Sequence, residues 1–238
     1  MILLLLVGVF DSFLFPRSIL YEQQFNPAQL RTERSEILLA SEMRFELSEL
    51  RTFVIFSQVD RYSVQVASFG NELYRENFFE FGFGFPLGKD FALGINVAGL
   101  NCWLKEISND FTYSLKIGGQ YENVPFLVAA WVNNVNIPRI SSIDYVPLSY
   151  SLRVKYQALP NVHFDFAVRG VDTELPFYKF GLAFSPHKMM DLVLGVITKP
   201  MLLEYGLRLS LGKMFLSYSG NRHQQLGFTH SLGLGFRP

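Results

Sequence analysis

His163, Asp165 and Arg169 share one parity of the run Val162-His163-Phe164-Asp165-Phe166-Ala167-Val168-Arg169, with Val162, Phe164, Phe166 and Val168 on the other. An imidazole beside a carboxylate can take up and return a proton, and with a nucleophile against it would make a hydrolase. No nucleophile is placed beside this pair. The same residues read equally as charges facing a confined interior, where each needs an opposite partner. Parity adds Arg153 and Lys155, Glu204 and Arg208, Lys116 and Glu80 to that face. The candidate luminal charge network is therefore Glu80, Lys116, Arg153, Lys155, His163, Asp165, Arg169, Glu204 and Arg208. His187, His223 and His230 have no metal-ligand spacing, and the single cysteine, Cys102, excludes a Cys-based zinc site. His230 falls on the apolar parity, at an interface or against a partner. Gly233-x-Gly235 lies within a strand pattern and opens no helix, so a dinucleotide site fails. No metal and no cofactor is expected.

The elements that must position these residues are strands. Apolar and polar residues alternate from about Ser35 to Phe236, most clearly in Leu148-Ser149-Tyr150-Ser151-Leu152-Arg153-Val154-Lys155-Tyr156-Gln157. Such alternation gives one greasy face and one wet face. It predicts strands over 36–45, 51–58, 61–69, 76–85, 89–100, 109–120, 124–134, 147–157, 161–170, 174–185, 189–198, 201–211, 213–219 and 225–237. That makes fourteen, or twelve if a short pair merges. In 124–134 Leu127 and Trp131 make both faces apolar. Tight connections follow even strands, and the longest loop, Asn134 to Val146, follows an odd one. Short turns on one rim and long loops on the other are the outer-membrane pattern, with both termini periplasmic.

A soluble sandwich also alternates. Three features favour a membrane barrel. The predicted strands average about ten residues, against roughly 5–6 in globular sheets and about 9–11 for a tilted bilayer crossing. The polar parity is rich in small residues (Gly82, Gly84, Gly94, Gly118, Gly206, Gly233, Gly235), which suit a crowded lumen. Tyr62, Trp103, Tyr121, Tyr150, Tyr156 and Tyr218 sit near strand ends, as an interfacial girdle would. Composition agrees: aromatic residues make up 16%, charged residues 18%, and net charge is zero, so nothing favours nucleic acid. The expected class is an all-β, transmembrane, antiparallel up-and-down barrel in a Gram-negative-type outer membrane. The apolar run Met1 to Phe10 has the length of a signal-peptide core. Residues 1–18 are assigned to a signal peptide, 19–34 to a plug-like segment, and 35–238 to the barrel.

Three stretches carry a family resemblance. Phe25-Asn26-Pro27-Ala28-Gln29-Leu30 is similar to the Asn-Pro-Ala-x-Leu element of the long-chain fatty-acid transporter (FadL-like) superfamily of outer-membrane barrels. Phe79-Glu80-Phe81-Gly82-Phe83-Gly84-Phe85-Pro86-Leu87-Gly88 resembles that superfamily's strand-turn. Leu226 to Phe236 resembles the closing strand of its smaller members, including type IX secretion-associated, PorV/PorQ-like barrels. The resemblance implies fourteen strands and an N-terminal plug carrying Phe25, Asn26, Pro27 and Leu30. It implies passive transport of hydrophobic compounds or a secretion-linked role, with no covalent chemistry. The partners so implied are outer-membrane lipid, a hydrophobic small molecule, and secretion-machinery or other outer-membrane proteins. The alternatives are a non-conducting structural or adaptor barrel and an outer-membrane hydrolase using His163 and Asp165.

Overall fold

The computed structural model describes residues 26–31, 34–140, 145–172, 175–199 and 201–238. The assigned signal peptide, residues 19–25 and with them Phe25 lie outside the described residues. Fourteen antiparallel strands follow one another around a closed barrel, and β1 pairs with β14 to complete it. They are β1 (Arg34–Met43), β2 (Arg51–Asp60), β3 (Tyr62–Gly70), β4 (Tyr74–Pro86), β5 (Phe91–Leu104), β6 (Ser108–Asn123) and β7 (Phe126–Asn133). The second half is β8 (Ser149–Leu159), β9 (Val162–Val171), β10 (Phe177–His187), β11 (Met190–Thr198), β12 (Met201–Leu211), β13 (Met214–His223) and β14 (Gly227–Phe236). Among the described residues no helix is long and apolar enough to cross a membrane. Closure lets the crossing be made by strands, because every wall segment finds its backbone partners in its neighbours.

The alternation faces outward. Ile55, Phe79, Val97, Leu152, Phe164, Leu194, Leu203 and Leu234 are exposed on the outer wall, while Glu80, Asn96, Lys116, Arg153, Glu204 and Ser231 are buried inside. A soluble protein would bury the first set. Here the exposed apolar band is the lipid-facing wall of an outer-membrane barrel. Tyrosines near strand ends fold over lipid-side glycines: a Cβ on Gly170 would meet the Tyr150 ring at 2.2 Å, and one on Gly220 the Tyr205 hydroxyl at 2.5 Å.

The even-numbered strands end in tight turns, such as Arg61 and Gly212–Lys213. This rim also carries the start of β1 and the end of β14, and is periplasmic by the outer-membrane pattern. The outer rim is uneven. β5 and β6 have 14 and 16 residues, but β7 has 8. β7 pairs only with Lys116 to Asn123 of β6, and Val135 continues the wall by donating its N–H to the Leu115 carbonyl at 3.0 Å. Beyond it the side chain of Asn136 stands in for a peptide unit. Its Oδ1 accepts from the Leu115 N–H at 2.9 Å, and its Nδ2 donates to the Tyr113 carbonyl at 2.8 Å. Replacement by alanine strips two backbone groups of their partners next to the lipid band. Asn136→Ala should destabilise the barrel by about 2 kcal/mol. The check is the shift in the urea midpoint of the detergent-solubilised protein; Asn136→Asp retains only the acceptor and should fall between.

Candidate functional site

The lumen is lined in rows along the register, which sets inward-facing residues of neighbouring strands side by side; because the strands tilt, each row climbs the wall from strand to strand. In the outer half, Ala40, Val54, Ala67, Phe78 and Leu100 are register partners across β1 to β5. Around them Val54, Ala67 and Phe69 form one buried cluster, and Ala98, Leu100 and Val146 another. Val146 comes from the β7–β8 connection, which folds inward over the wall. A second buried apolar cluster, Leu38, Phe56 and Phe215, lies on the inner face of β1, β2 and β13.

On β3 to β5 a polar row lies on the periplasmic side of the apolar one, and it climbs to the outer rim at β8. Ser63, Gly82, Asn96, Lys116, Asn133 and Ser149 are aligned across β3 to β8. Lys116 Nζ lies 2.7 Å from Glu80 Oε2, and Asn96 Nδ2 donates to Glu80 Oε1 at 2.7 Å. Both carboxylate oxygens are thus engaged, as a buried charge requires.

Next toward the periplasm comes a row with almost no side chains on β4 to β6. Gly84, Gly94 and Gly118 are aligned across β4, β5 and β6, and Trp131 of β7 continues the row. The tight 3-10 turn Pro27–Arg31 rests in this trough, contacting β4, β5 and β6. A Cβ on Gly94 would lie 2.1 Å from the Pro27 carbonyl carbon, on Gly84 2.7 Å from that of Leu30, and on Gly118 2.2 Å from Asn26 Oδ1. The glycines therefore give the inner wall the depth that the chain occupies. Asn26 shapes the turn by accepting the Ala28 N–H at 3.1 Å, and reaches the wall through Nδ2 to the Gly119 carbonyl at 3.3 Å and Gln120 Oε1 at 3.4 Å. Opposite the trough, Asn26 and Gln29 face Leu127, Trp131, Arg153 and Lys155 across a cavity of about 20 Å³, measured as the space open to the centre of a water molecule. That volume holds about one water. The doubly apolar β7 noted in the sequence thus turns Leu127 and Trp131 into the lumen.

The remaining candidate charges form separate pairs around the wall. Arg153 Nε donates to Asp165 Oδ1 at 2.9 Å and Oδ2 at 2.8 Å. Asp165 is thereby held by a guanidinium, and His163 stands on the same inner face nearer the periplasmic rim. Arg169 lies over the Trp131 ring at 6.0 Å, and Arg208 over Phe215 at 5.2 Å. Glu204 pairs with Lys179, which the sequence-based set omits although Lys179 alternates with Tyr178 and Phe180. A further buried pair, Glu42 and Arg44 at 2.9 Å, sits at the outer rim with Arg44 over Phe69. Among the described residues no group of His, Cys, Asp or Glu could hold a metal ion.

A closed wall with a lipid-facing exterior and a polar-lined interior defines an outer-membrane β-barrel. Known structures sharpen the class. The CymD monoaromatic hydrocarbon channel superposes with a TM-score of 0.67 at 10% identity, covering 92% of each chain. The Ralstonia pickettii toluene transporter TbuX gives 0.64 at 9% identity over 90% of this chain and 92% of its own. A Pseudomonas aeruginosa FadL homologue gives 0.61 at 8% identity over 89% and 92%. No protein-family model and no curated protein matches the sequence. The chain has the fold of the FadL-like barrels, as its motifs suggested, and at these identities the likeness is one of fold.

Proposed function

We propose that this barrel is a passive outer-membrane conduit for small hydrophobic molecules, with Asn26–Arg31 occluding the periplasmic half of its lumen. One observation carries the reading: the apolar layer Ala40-Val54-Ala67-Phe78-Leu100 on the inner wall of the outer half. These side chains stabilise the wall by packing on one another, and where they face the lumen a hydrophobic solute leaving water gains roughly 25 cal/mol for each Å² it buries there. Hydrocarbon channels with this fold support the same substrate class. The test is uptake of labelled toluene by intact cells, whose outer leaflet is the barrier that matters. Cells carrying the barrel should take it up several times faster than cells without it, and replacing Phe78 and Leu100 by Asn should remove most of the gain. Equal rates would sink the reading.

The water-sized cavity under Asn26 favours a second reading, a closed barrel that acts as an adaptor, including a secretion-linked one. It predicts neither toluene uptake nor single-channel conductance in planar bilayers, and binding of a second outer-membrane protein at the rim.

A further inference from the structure

The outer wall of β3 to β6 carries polar residues on the lipid-facing parity. The Ser68 hydroxyl donates to Asn77 Oδ1 at 3.0 Å, Asn77 Nδ2 to Asn101 Oδ1 at 3.1 Å, and Asn101 Nδ2 to Asn109 Oδ1 at 2.7 Å. This is a continuous side-chain ladder across four strands, with the exposed Arg75 one step above it, opposite Trp103. Phe111 lies in the same row as Asn101, is 73% exposed, and tilts its ring over Gly99, whose Cβ position lies 3.1 Å from the ring edge. The result is a flat aromatic plate beside a run of amides.

Its height is set by the strand below. Phe91, at the periplasmic end of β5, begins an unbroken outward series Leu93, Ile95, Val97, Gly99. Asn101 comes ten residues after Phe91, about 34 Å along the strand and about 26 Å in height at a tilt of about 40°. The apolar band of such barrels is about 25 Å tall. Asn101 therefore lies where acyl chains end and headgroups begin, on the long-loop, cell-surface side, with Asn77 and Ser68 stepping down the tilted row beneath it.

Asn101 spends its second N–H on the Asp110 carbonyl at 3.2 Å, while the ladder leaves Asn77 a second N–H, Asn109 its amide N–H groups, and each asparagine a second carbonyl lone pair. Donors and acceptors thus alternate at the strand spacing of about 4.8 Å. Sugar hydroxyls match such a pattern, the C–H face of a sugar ring matches the Phe111 plate, and a headgroup phosphate matches Arg75. Acyl chains of the same molecule continue onto the apolar wall directly beneath. The geometry points to a binding site for the sugar headgroup of an outer-leaflet glycolipid on β3 to β6, formed by Ser68, Asn77, Asn101, Asn109, Phe111 and Arg75. The site rests on the outer-membrane placement of the barrel and is independent of what the lumen conducts.

The test is lipid retention by native mass spectrometry on the full-length barrel, with lipid A and phosphatidylglycerol offered in equal amounts. Lipid A is offered in its monophosphoryl form, so each lipid carries one phosphate and charge attraction to Arg75 alone does not separate them. Wild-type protein should keep lipid A at about five-fold excess or more, and Asn77→Leu/Asn101→Leu should bring the ratio close to one with heat-modifiable migration intact. Should that double variant fail to fold, Asn109→Ala, at the exposed end of the ladder, should still cut the ratio several-fold. Equal retention by wild type, preference for phosphatidylglycerol, or a ratio unmoved by the substitutions overturns the site. Toluene uptake is measured on the same variants and should not change, so failure of the conduit reading and failure of the lipid site are distinguishable.

Discussion

Gly94→Leu should expel the Asn26–Arg31 segment from the lumen while leaving the barrel standing. A side chain at Gly94 would have to begin 2.1 Å from the Pro27 carbonyl carbon and 2.3 Å from its oxygen, so one of the two must move. The wall is the harder to displace. β5 is paired along its length with β4 and β6, and a closed barrel has no free edge to take up strain. The hydrogen bonds that Asn26 makes to the wall are long, at 3.3 and 3.4 Å, and Gln29 adds an interaction of its own to the van der Waals packing. Overpacking costs about 1–3 kcal/mol, enough to unseat so short a turn. A cysteine at Ala28, buried in the wild type, should react with a membrane-impermeant maleimide at least about ten times faster in the Gly94→Leu background. Bilayer conductance should rise with it. The comparison is Gly119→Leu, one residue beyond another trough glycine but on the lipid face, where a Cβ meets Leu93 Cδ2 at an ordinary 3.5 Å. That variant should behave as wild type. Slow labelling in both would show that the turn is held by something other than the glycine trough.

The strands were legible because lipid imposes one demand on every outward residue. All fourteen predicted strands occur, with boundaries shifted by a few residues, and Val162, Phe164, Phe166 and Val168 of β9 face outward as their spacing required. One of the two largest boundary shifts is informative. The predicted 89–100 stops short of β5, which runs to Leu104, because Asn101 breaks the apolar alternation. The break is the edge of the membrane, and the strand continues into headgroups and water. Charges were legible by face and not by partner. Lys155 is the direct register neighbour of Asp165, yet the carboxylate is gripped by Arg153, one step along β8. Glu204 finds Lys179 two strands away, across β11, which presents the side-chain-free Gly195 opposite Glu204. The apolar layer escaped notice for a related reason. Val54, Ala67, Phe78 and Leu100 belong to four different strands, and only the register brings them side by side. Asn136 carries no sequence signal, since its role exists only because β7 stops at Asn133.

Lys116→Met should be among the most damaging single changes in the lumen, costing about 3–5 kcal/mol. It removes the ammonium 2.7 Å from Glu80 Oε2 and leaves a carboxylate that is only 5% exposed. Asn96 still donates to the other oxygen, but one neutral hydrogen bond does not replace a charge partner in a confined interior. The pair is less costly to remove whole than to break, because its two desolvation penalties vanish together. Glu80→Gln/Lys116→Met retains an oxygen to accept from Asn96 and fills the lysine stem with a thioether of similar length. It should recover most of the loss. The measurement is the urea midpoint of the folded-to-unfolded gel shift for the two single variants and the double variant. A double variant no more stable than Lys116→Met would mean that Lys116 serves Asn133 and its neighbours in the polar layer, and not chiefly Glu80. The same cycle bears on conduction. If the Glu80–Lys116 pair forms the polar floor beneath the apolar layer, replacing it with Gln and Met should speed toluene uptake in cells whose barrel also carries Gly94→Leu, and leave it unchanged where the segment remains seated.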